Sequence, residues 1–112
     1  MQTKVDSFNQ ALLTASPFVL VNVGAPWCGL CRLIDPVMDH LSIEWSGSLS
    51  VIRVDAEKNF HWAHQQQIRV LPTLILYKDG IELARLTGLS SRQDVIHQCE
   101  QLLLQNLFGS AC

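Results

Sequence analysis

The stretch that decides the fold is Trp27-Cys28-Gly29-Leu30-Cys31-Arg32. Two cysteines separated by two residues can close a small disulfide, supply half of a zinc site or form a buried structural pair. An apolar run from Phe18 to Val23 precedes them and predicts a buried strand, and the helical periodicity from Leu33 to Trp45 follows them. The first sulfur is therefore expected at a helix N-terminus, where unpaired backbone N–H groups and the helix dipole stabilise a thiolate. Because the thiolate is the species that attacks a disulfide, this position favours redox chemistry.

Composition sets the class of protein. The chain has 112 residues, of which 48% are apolar and 16% are charged, and these values are typical of one globular domain over residues 1–112. A net charge of -2 without a basic run argues against nucleic-acid binding. No apolar run approaches the roughly 18 residues of a membrane span, and residues 1–6 lack the pattern of a signal peptide. Four cysteines in such a chain indicate a redox or metal role, and we expect a cytoplasmic protein without membrane association.

The order of predicted elements gives the fold class. They are a helix over about 6–15, a strand over 18–23, a helix to about 45, a strand over 49–55, a short helix over about 60–67, a strand over 74–77, a return strand over 81–86 and a last helix after Ser90 or Ser91. The second helix should bury Leu33, Ile34, Val37, Met38 and Leu41, and the last should bury Val95, Ile96, Cys99, Leu102 and Leu103. This order predicts an α/β fold, a mixed sheet of four to five strands flanked by about four helices.

The chain resembles the thioredoxin family from about Asp6 to Leu104. The signals are the redox motif Ala25-Pro26-Trp27-Cys28-Gly29-x-Cys31, the helix-kinking Pro36, the segment Val70-Leu71-Pro72-Thr73, the hairpin Lys78-Asp79-Gly80 and Gly88. They occur in the family's order and at the family's separations. The resemblance implies a thioredoxin fold and a protein-disulfide reductase that needs neither metal nor organic cofactor.

The same resemblance assigns roles to individual residues. Cys28 would be the exposed nucleophile and Cys31 the shielded thiol that resolves the mixed disulfide. Pro72 would follow a cis peptide bond and leave neighbouring backbone free to pair with an extended substrate. The flat substrate-binding surface would comprise Trp27, Gly29, Leu30, Leu71, Pro72, Gly88 and Leu89. Protein disulfides are the implied substrates, a thioredoxin reductase is a candidate partner, and a monomer is expected.

Departures from the family's pattern affect the expected chemistry. The buried aspartate that is thought to move a proton in the family is Asn22 here, and we place the family's lysine partner at Val51. Asn cannot act as a general base near neutral pH, so resolution by Cys31 should be slow or should need water as proton carrier. Leu30 replaces the proline between the cysteines and Gly24 replaces an aromatic residue. We expect a weaker reductant than ordinary thioredoxins, with a potential of about −270 to −180 mV.

Two alternatives stay open for the motif. Cys28 and Cys31 could bind zinc together with His61 and His64, although the gap to His61 is far longer than in zinc fingers. The loss of the buried acid and of its counter-charge, at Asn22 and Val51, is compatible with a binding module that keeps the fold and groove and has lost most turnover.

Other chemically reactive groups have plainer interpretations. Asp35 follows Cys31 by one helical turn and could assist proton movement, although a solvated surface charge is the commoner outcome. Cys99 is expected to be a small buried residue. Residues 105–112 are a C-terminal extension, in which Leu107 and Phe108 could pack back and Cys112 could link two chains.

Overall fold

The computed structural model describes residues 3–5, 10–14 and 16–108 of the chain. Within them the chain forms a five-stranded sheet with the strand order β1-β3-β2-β4-β5. The strands are β1 (Thr3–Val5), β2 (Phe18–Gly24), β3 (Leu49–Asp55), β4 (Thr73–Lys78) and β5 (Ile81–Leu86). The first three strands are parallel and the last two pair in antiparallel fashion, which confirms the predicted α/β class and mixed sheet.

The helices differ in number from the prediction. The α-helices among the described residues are α1 (Gly29–Glu44), α2 (Phe60–Gln65) and α3 (Arg92–Leu103). In place of the first predicted helix the structure has a 3₁₀ helix over Gln10–Thr14, and residues 6–9 and 15 lie outside the described residues. The third predicted helix ends early because Gln67 adopts a φ of 57°, a left-handed conformation that a helix cannot continue through. Within the part of the chain that the structure describes, three α-helices therefore flank the sheet, against about four helices in the prediction.

The two faces of the sheet carry separate apolar clusters, since successive side chains of a strand point to opposite faces. The first cluster packs α1 and α3 against Phe18 and Leu20 of β2. The second packs the 3₁₀ helix and Trp62 of α2 against the intervening residues Val19, Val21 and Val23. Because β2 is covered on both faces, it is the nearly continuous apolar run that the sequence displays.

The prediction of burial is wrong for one residue of α1. Leu33 is 60% exposed, whereas Ile34, Val37, Met38 and Leu41 are buried as predicted. The buried stripe advances from Cys31 by three or four residues at a time, and Leu33 lies about 100° around the helix from Ile34, outside that stripe.

Helical structure at the C-terminal end extends beyond the predicted buried residues of the last helix. Ser91 caps α3 by accepting a hydrogen bond from the Asp94 backbone N–H, as expected for one of the two candidate caps. The residues Val95, Cys99, Leu102 and Leu103 are buried. A π-helical turn over Leu104–Phe108 then follows, and Leu107 packs against the first cluster. Part of the predicted extension is therefore folded, while residues 109–112, with Cys112, lie outside the described residues.

Candidate active site

The junction between β2 and α1 positions both cysteines. After Gly24 the chain makes a tight turn in which the Cys28 backbone N–H donates to the Ala25 carbonyl at 3.1 Å. Cys28 is the N-cap residue of α1, with extended backbone angles, and its Sγ accepts a hydrogen bond from the Cys31 backbone N–H at 3.2 Å. The two cysteines form a disulfide with their Cα atoms 5.2 Å apart. The first sulfur therefore lies where the sequence places it, at the N-terminus of a helix.

Both cysteines are buried, so the expectation of an exposed Cys28 is wrong for this disulfide form, in which Cys28 caps α1 and is bonded to Cys31. Cys28 is 7% exposed and its neighbours Trp27 and Gly29 are exposed, whereas Cys31 is 2% exposed. Cys31 is covered from the sheet by Gly24, where an added Cβ would lie 3.0 Å from the Cys31 Sγ atom. Glycine at this position thus allows the strand to approach the second sulfur closely.

Trp27 and Leu71, two of the predicted surface residues, line a common cavity. Trp27 is 66% exposed, and its indole N–H donates to the Glu57 carboxylate. Trp27 and Leu71 share a cavity of about 330 Å³ with residues of the β3–α2 connection, of α2 and of the segment before β4, including Glu57, Phe60, His64 and Arg69. The sequence did not indicate these further cavity residues, because an exposed Phe or Arg on a short polar helix or loop gives no periodic signal.

The predicted cis-proline segment lies before β4. The Leu71–Pro72 peptide bond is cis, Pro72 is buried, and the Thr73 hydroxyl donates to the Val70 carbonyl at 2.7 Å. Gly88 is exposed and has a φ of 67°, a conformation that favours glycine. Leu89 and Leu30 are half-buried and both pack against the first apolar cluster.

Asn22 occupies a buried position beside a charged residue that the sequence analysis misplaced. Asn22 is 2% exposed, and its Oδ1 atom accepts no hydrogen bond from any described residue. The β2–β3 register places Arg53 opposite Asn22, whereas Val51 lies opposite Leu20 in the apolar cluster. The expectation that the basic partner is lost at Val51 is therefore wrong, because the cation beside Asn22 is Arg53.

Arg53 has an acidic partner on α1. Its Nη1 atom lies 2.8 Å from the Asp35 carboxylate, and both side chains are 23% exposed. Asp35 is thus a half-buried member of an ion pair and not the solvated surface charge that the sequence favoured. The spacing of Asp35 from Cys31 was visible in the sequence, but its pairing across the sheet was not.

The remaining candidate groups lie elsewhere. His61 and His64 are exposed on α2, and the described residues contain no group of three or more His, Cys, Asp or Glu side chains able to hold a metal ion. Cys99 is fully buried in α3, as predicted, and burial raises its pKa to about 12. Cys99 is therefore separate in position and in chemistry from the pair at the α1 terminus.

Comparison with known proteins identifies the family. The family model described as Thioredoxin matches residues 1–101. The chain belongs to the thioredoxin family. Thioredoxin 1 of Synechococcus elongatus is 39% identical over 82 residues, which cover 73% of this chain and 77% of the relative. The thioredoxin of Pseudomonas aeruginosa is 38% identical over 88 residues, covering 78% and 82% of the two chains.

A solved structure supports the fold. Thioredoxin from Plasmodium falciparum superposes with a TM-score of 0.80 at 24% identity, covering 93% of this chain and 98% of that one. Family membership and the disulfide between Cys28 and Cys31 together make this family member a thiol-disulfide oxidoreductase. Thioredoxins carry out this chemistry on protein disulfides without a cofactor. None of the helices in the described ranges has the length and apolar character needed to span a bilayer.

Proposed function

We propose that the protein reduces or exchanges protein disulfides with Cys28 as the nucleophile and Cys31 as the resolving thiol. The observation that carries this assignment is the position of the Cys28 Sγ atom, which caps the 16-residue helix α1 and accepts a hydrogen bond from the Cys31 backbone N–H. Both the helix dipole and that N–H stabilise a Cys28 thiolate. Trp27 and Gly29 on either side of Cys28 are exposed, and this supports Cys28 as the cysteine that a substrate reaches first.

The reaction passes through a mixed disulfide. The Cys28 thiolate attacks one sulfur of the substrate disulfide, and the other substrate sulfur leaves as a thiolate that takes up a proton. Cys31 then loses its proton and attacks the Cys28 Sγ atom, and the second substrate thiolate is released. Two electrons pass from the dithiol to the substrate, which leaves the Cys28–Cys31 disulfide present in the structure.

The substrate surface is proposed to surround Cys28. It comprises the flanking Trp27, Gly29 and Leu30, the segment of Leu71 and Pro72, and the pair Gly88 and Leu89. The exposure of Trp27, Gly29 and Gly88 supports this assignment, as does the cavity that Trp27 and Leu71 share. Asn22 stands at the position where the family carries its proton-transfer aspartate.

Family membership supports a proposal for the protein's domain organisation, location and reducing partner. We propose a single-domain monomer, residues 1–112 with the extension 105–112, that acts in the cytoplasm and is reduced by a thioredoxin reductase. A binding module without turnover is the competing function, because Asn22 replaces the buried acid. The intact disulfide pair favours the oxidoreductase.

Trapping of the mixed disulfide tests this function. In a Cys31→Ser variant the second step is blocked, so incubation of the reduced protein with oxidised insulin should accumulate a covalent adduct at Cys28. The adduct should appear on a non-reducing gel and disappear with dithiothreitol. A Cys28→Ser variant is the matched control and should form no adduct at this site. A Cys31→Ser variant that binds insulin without a covalent adduct would establish the binding module instead.

A further inference from the structure

Asn22 and Gly24 lie at successive positions on the face of β2 that packs against α1. Gly24 lies close to Cys31 on this face, since a Cβ added to Gly24 would lie 3.0 Å from the Cys31 Sγ atom. Asn22 precedes Gly24 by two residues, so both belong to the same face of the strand, about 6.6 Å apart along it. The Oδ1 atom of Asn22 is buried further along this face, and it is a hydrogen-bond acceptor without a donor among the described residues. Because buried polar atoms are almost always hydrogen-bonded, we expect a donor at this atom, either a water molecule or a thiol.

Asp35 on α1 lies about as far along the sheet as Asn22 on β2. Because α1 connects the parallel strands β2 and β3, it runs back along the sheet in the direction opposite to β2. The four-residue step from Cys31 to Asp35 spans about 6 Å along the helix, which is nearly the distance along the strand from Gly24 to Asn22. Arg53, the neighbour of Asn22 on β3, joins the two elements through its ion pair with Asp35. A group of three side chains thus lies about 6 Å further along the sheet than Cys31. Its members are Asn22, Arg53 and Asp35.

We propose that Asp35 accepts the proton released by the Cys31 thiol, through a water molecule that donates to Asn22 Oδ1. Arg53 orients the Asp35 carboxylate, and the partial exposure of Asp35 lets the proton pass to solvent. The carboxylate that assists resolution is therefore on α1 instead of β2, next to a basic residue that the chain retains. This inference rests on the proposed function.

The step balances in protons and electrons. The Cys31 S–H bond breaks as its proton moves to the water molecule, which passes a proton to the Asp35 carboxylate. The Cys31 sulfur forms a bond to the Cys28 sulfur while the bond between Cys28 and the substrate breaks, and the substrate sulfur leaves as a thiolate with the bonding electron pair. The dithiol is oxidised, the substrate is reduced, and Asp35 then returns its proton to solvent.

Stopped-flow kinetics with dithiobis(nitrobenzoate) resolve the two steps. In a Cys112→Ser background, the first thionitrobenzoate reports attack by Cys28 at a rate proportional to the reagent concentration. The second reports attack by Cys31 at a rate independent of that concentration. Absence of the first phase would contradict the proposed function itself. A normal first phase confines any defect to the step assigned to Asp35.

An Asp35→Asn variant should slow the second phase by at least about tenfold and leave the first unchanged, because general-base assistance is typically worth 10²–10⁴-fold. Asp39→Asn, which removes a carboxylate one turn further from Cys31, is the matched control and should change neither phase. Adding Asn22→Asp to Asp35→Asn should restore the second phase, since it returns a carboxylate to the same level. An unchanged second phase in Asp35→Asn, or no rescue by Asn22→Asp, would overturn the proposal.

A purely structural role for the ion pair predicts a different pattern. Arg53→Met removes the residue that orients Asp35 but keeps the carboxylate, so the proposal predicts a partial slowing of the second phase, smaller than the loss in Asp35→Asn, where the general base itself is removed. Equal slowing by Arg53→Met and Asp35→Asn would overturn the proposal in favour of a structural pair. The Cys112→Ser protein supplies a test that needs no change at Asp35 or Arg53, because proton transfer in this step requires a slower second phase in D₂O than in H₂O. Equal rates in the two solvents would also overturn it.

Discussion

Cys28 and Cys99 are both buried, yet their surroundings give them opposite chemistry. Cys28 is 7% exposed and caps α1, with a backbone N–H directed at its sulfur and exposed residues on both sides. Cys99 is fully buried in the middle of α3 among the apolar side chains of the first cluster. Burial disfavours a thiolate, while a helix N-terminus stabilises one. Local backbone geometry, rather than depth alone, therefore distinguishes a reactive cysteine from a structural one.

Alkylation should show the largest difference between these two thiols. Burial raises the pKa of Cys99 to about 12, so at pH 7 only about one part in 10⁵ of this thiol is ionised, whereas helix-terminal thiols commonly have pKa values below the free value. We expect iodoacetamide to modify Cys28 of the reduced protein at least about 10³ times faster than Cys99. Peptide mass spectrometry after timed quenching measures both rates.

Unfolding provides the control for this experiment. In denaturant the two thiols should react at similar rates, because the environments that separate them are lost. Rapid modification of Cys99 in the folded protein would break the comparison.

Gly24 tests the shielded member of the pair with a smaller effect. Cys31 is nearly as buried as Cys99, but β2 approaches it closely at Gly24. A Gly24→Ala substitution places Cβ 3.0 Å from the Cys31 sulfur and should lower the free energy of unfolding by about 1–3 kcal/mol through overpacking. Urea unfolding followed by tryptophan fluorescence measures this change. Gly29→Ala, whose Cβ meets open space, is the matched control and should cause no loss. Equal stability of the two variants would show that Cys31 is not tightly packed.

Sequence reasoning succeeds where a pattern is local. The C-x-x-C at a strand-to-helix junction, the apolar run of β2 and the buried stripe of α3 are all carried by residues close together in the chain. The sequence did not predict β1, because three residues at the sheet edge are too short for a periodic signal. The predicted first helix, over about 6–15, is a 3₁₀ helix in its described part.

Pairing between elements is the part that the sequence did not reveal. The error at Val51 is a two-residue shift, which keeps a residue on the same face of its strand and therefore leaves the apolar alternation intact. Only the β2–β3 register shows that Arg53 is the residue beside Asn22. The ion pair of Arg53 with Asp35 depends in turn on how α1 lies across the sheet. These contacts decide the proposed proton path, and they are long-range.

A redox titration of the purified protein tests the central claim most directly. Tryptophan fluorescence is followed in defined thiol–disulfide buffers, since Trp27 adjoins the pair in the chain. We predict a reversible two-electron transition at about −270 to −180 mV, retained in a Cys99→Ser variant and lost in Cys28→Ser. The absence of a reversible transition, or its persistence in Cys28→Ser, would contradict the assignment of Cys28 and Cys31 as the redox pair.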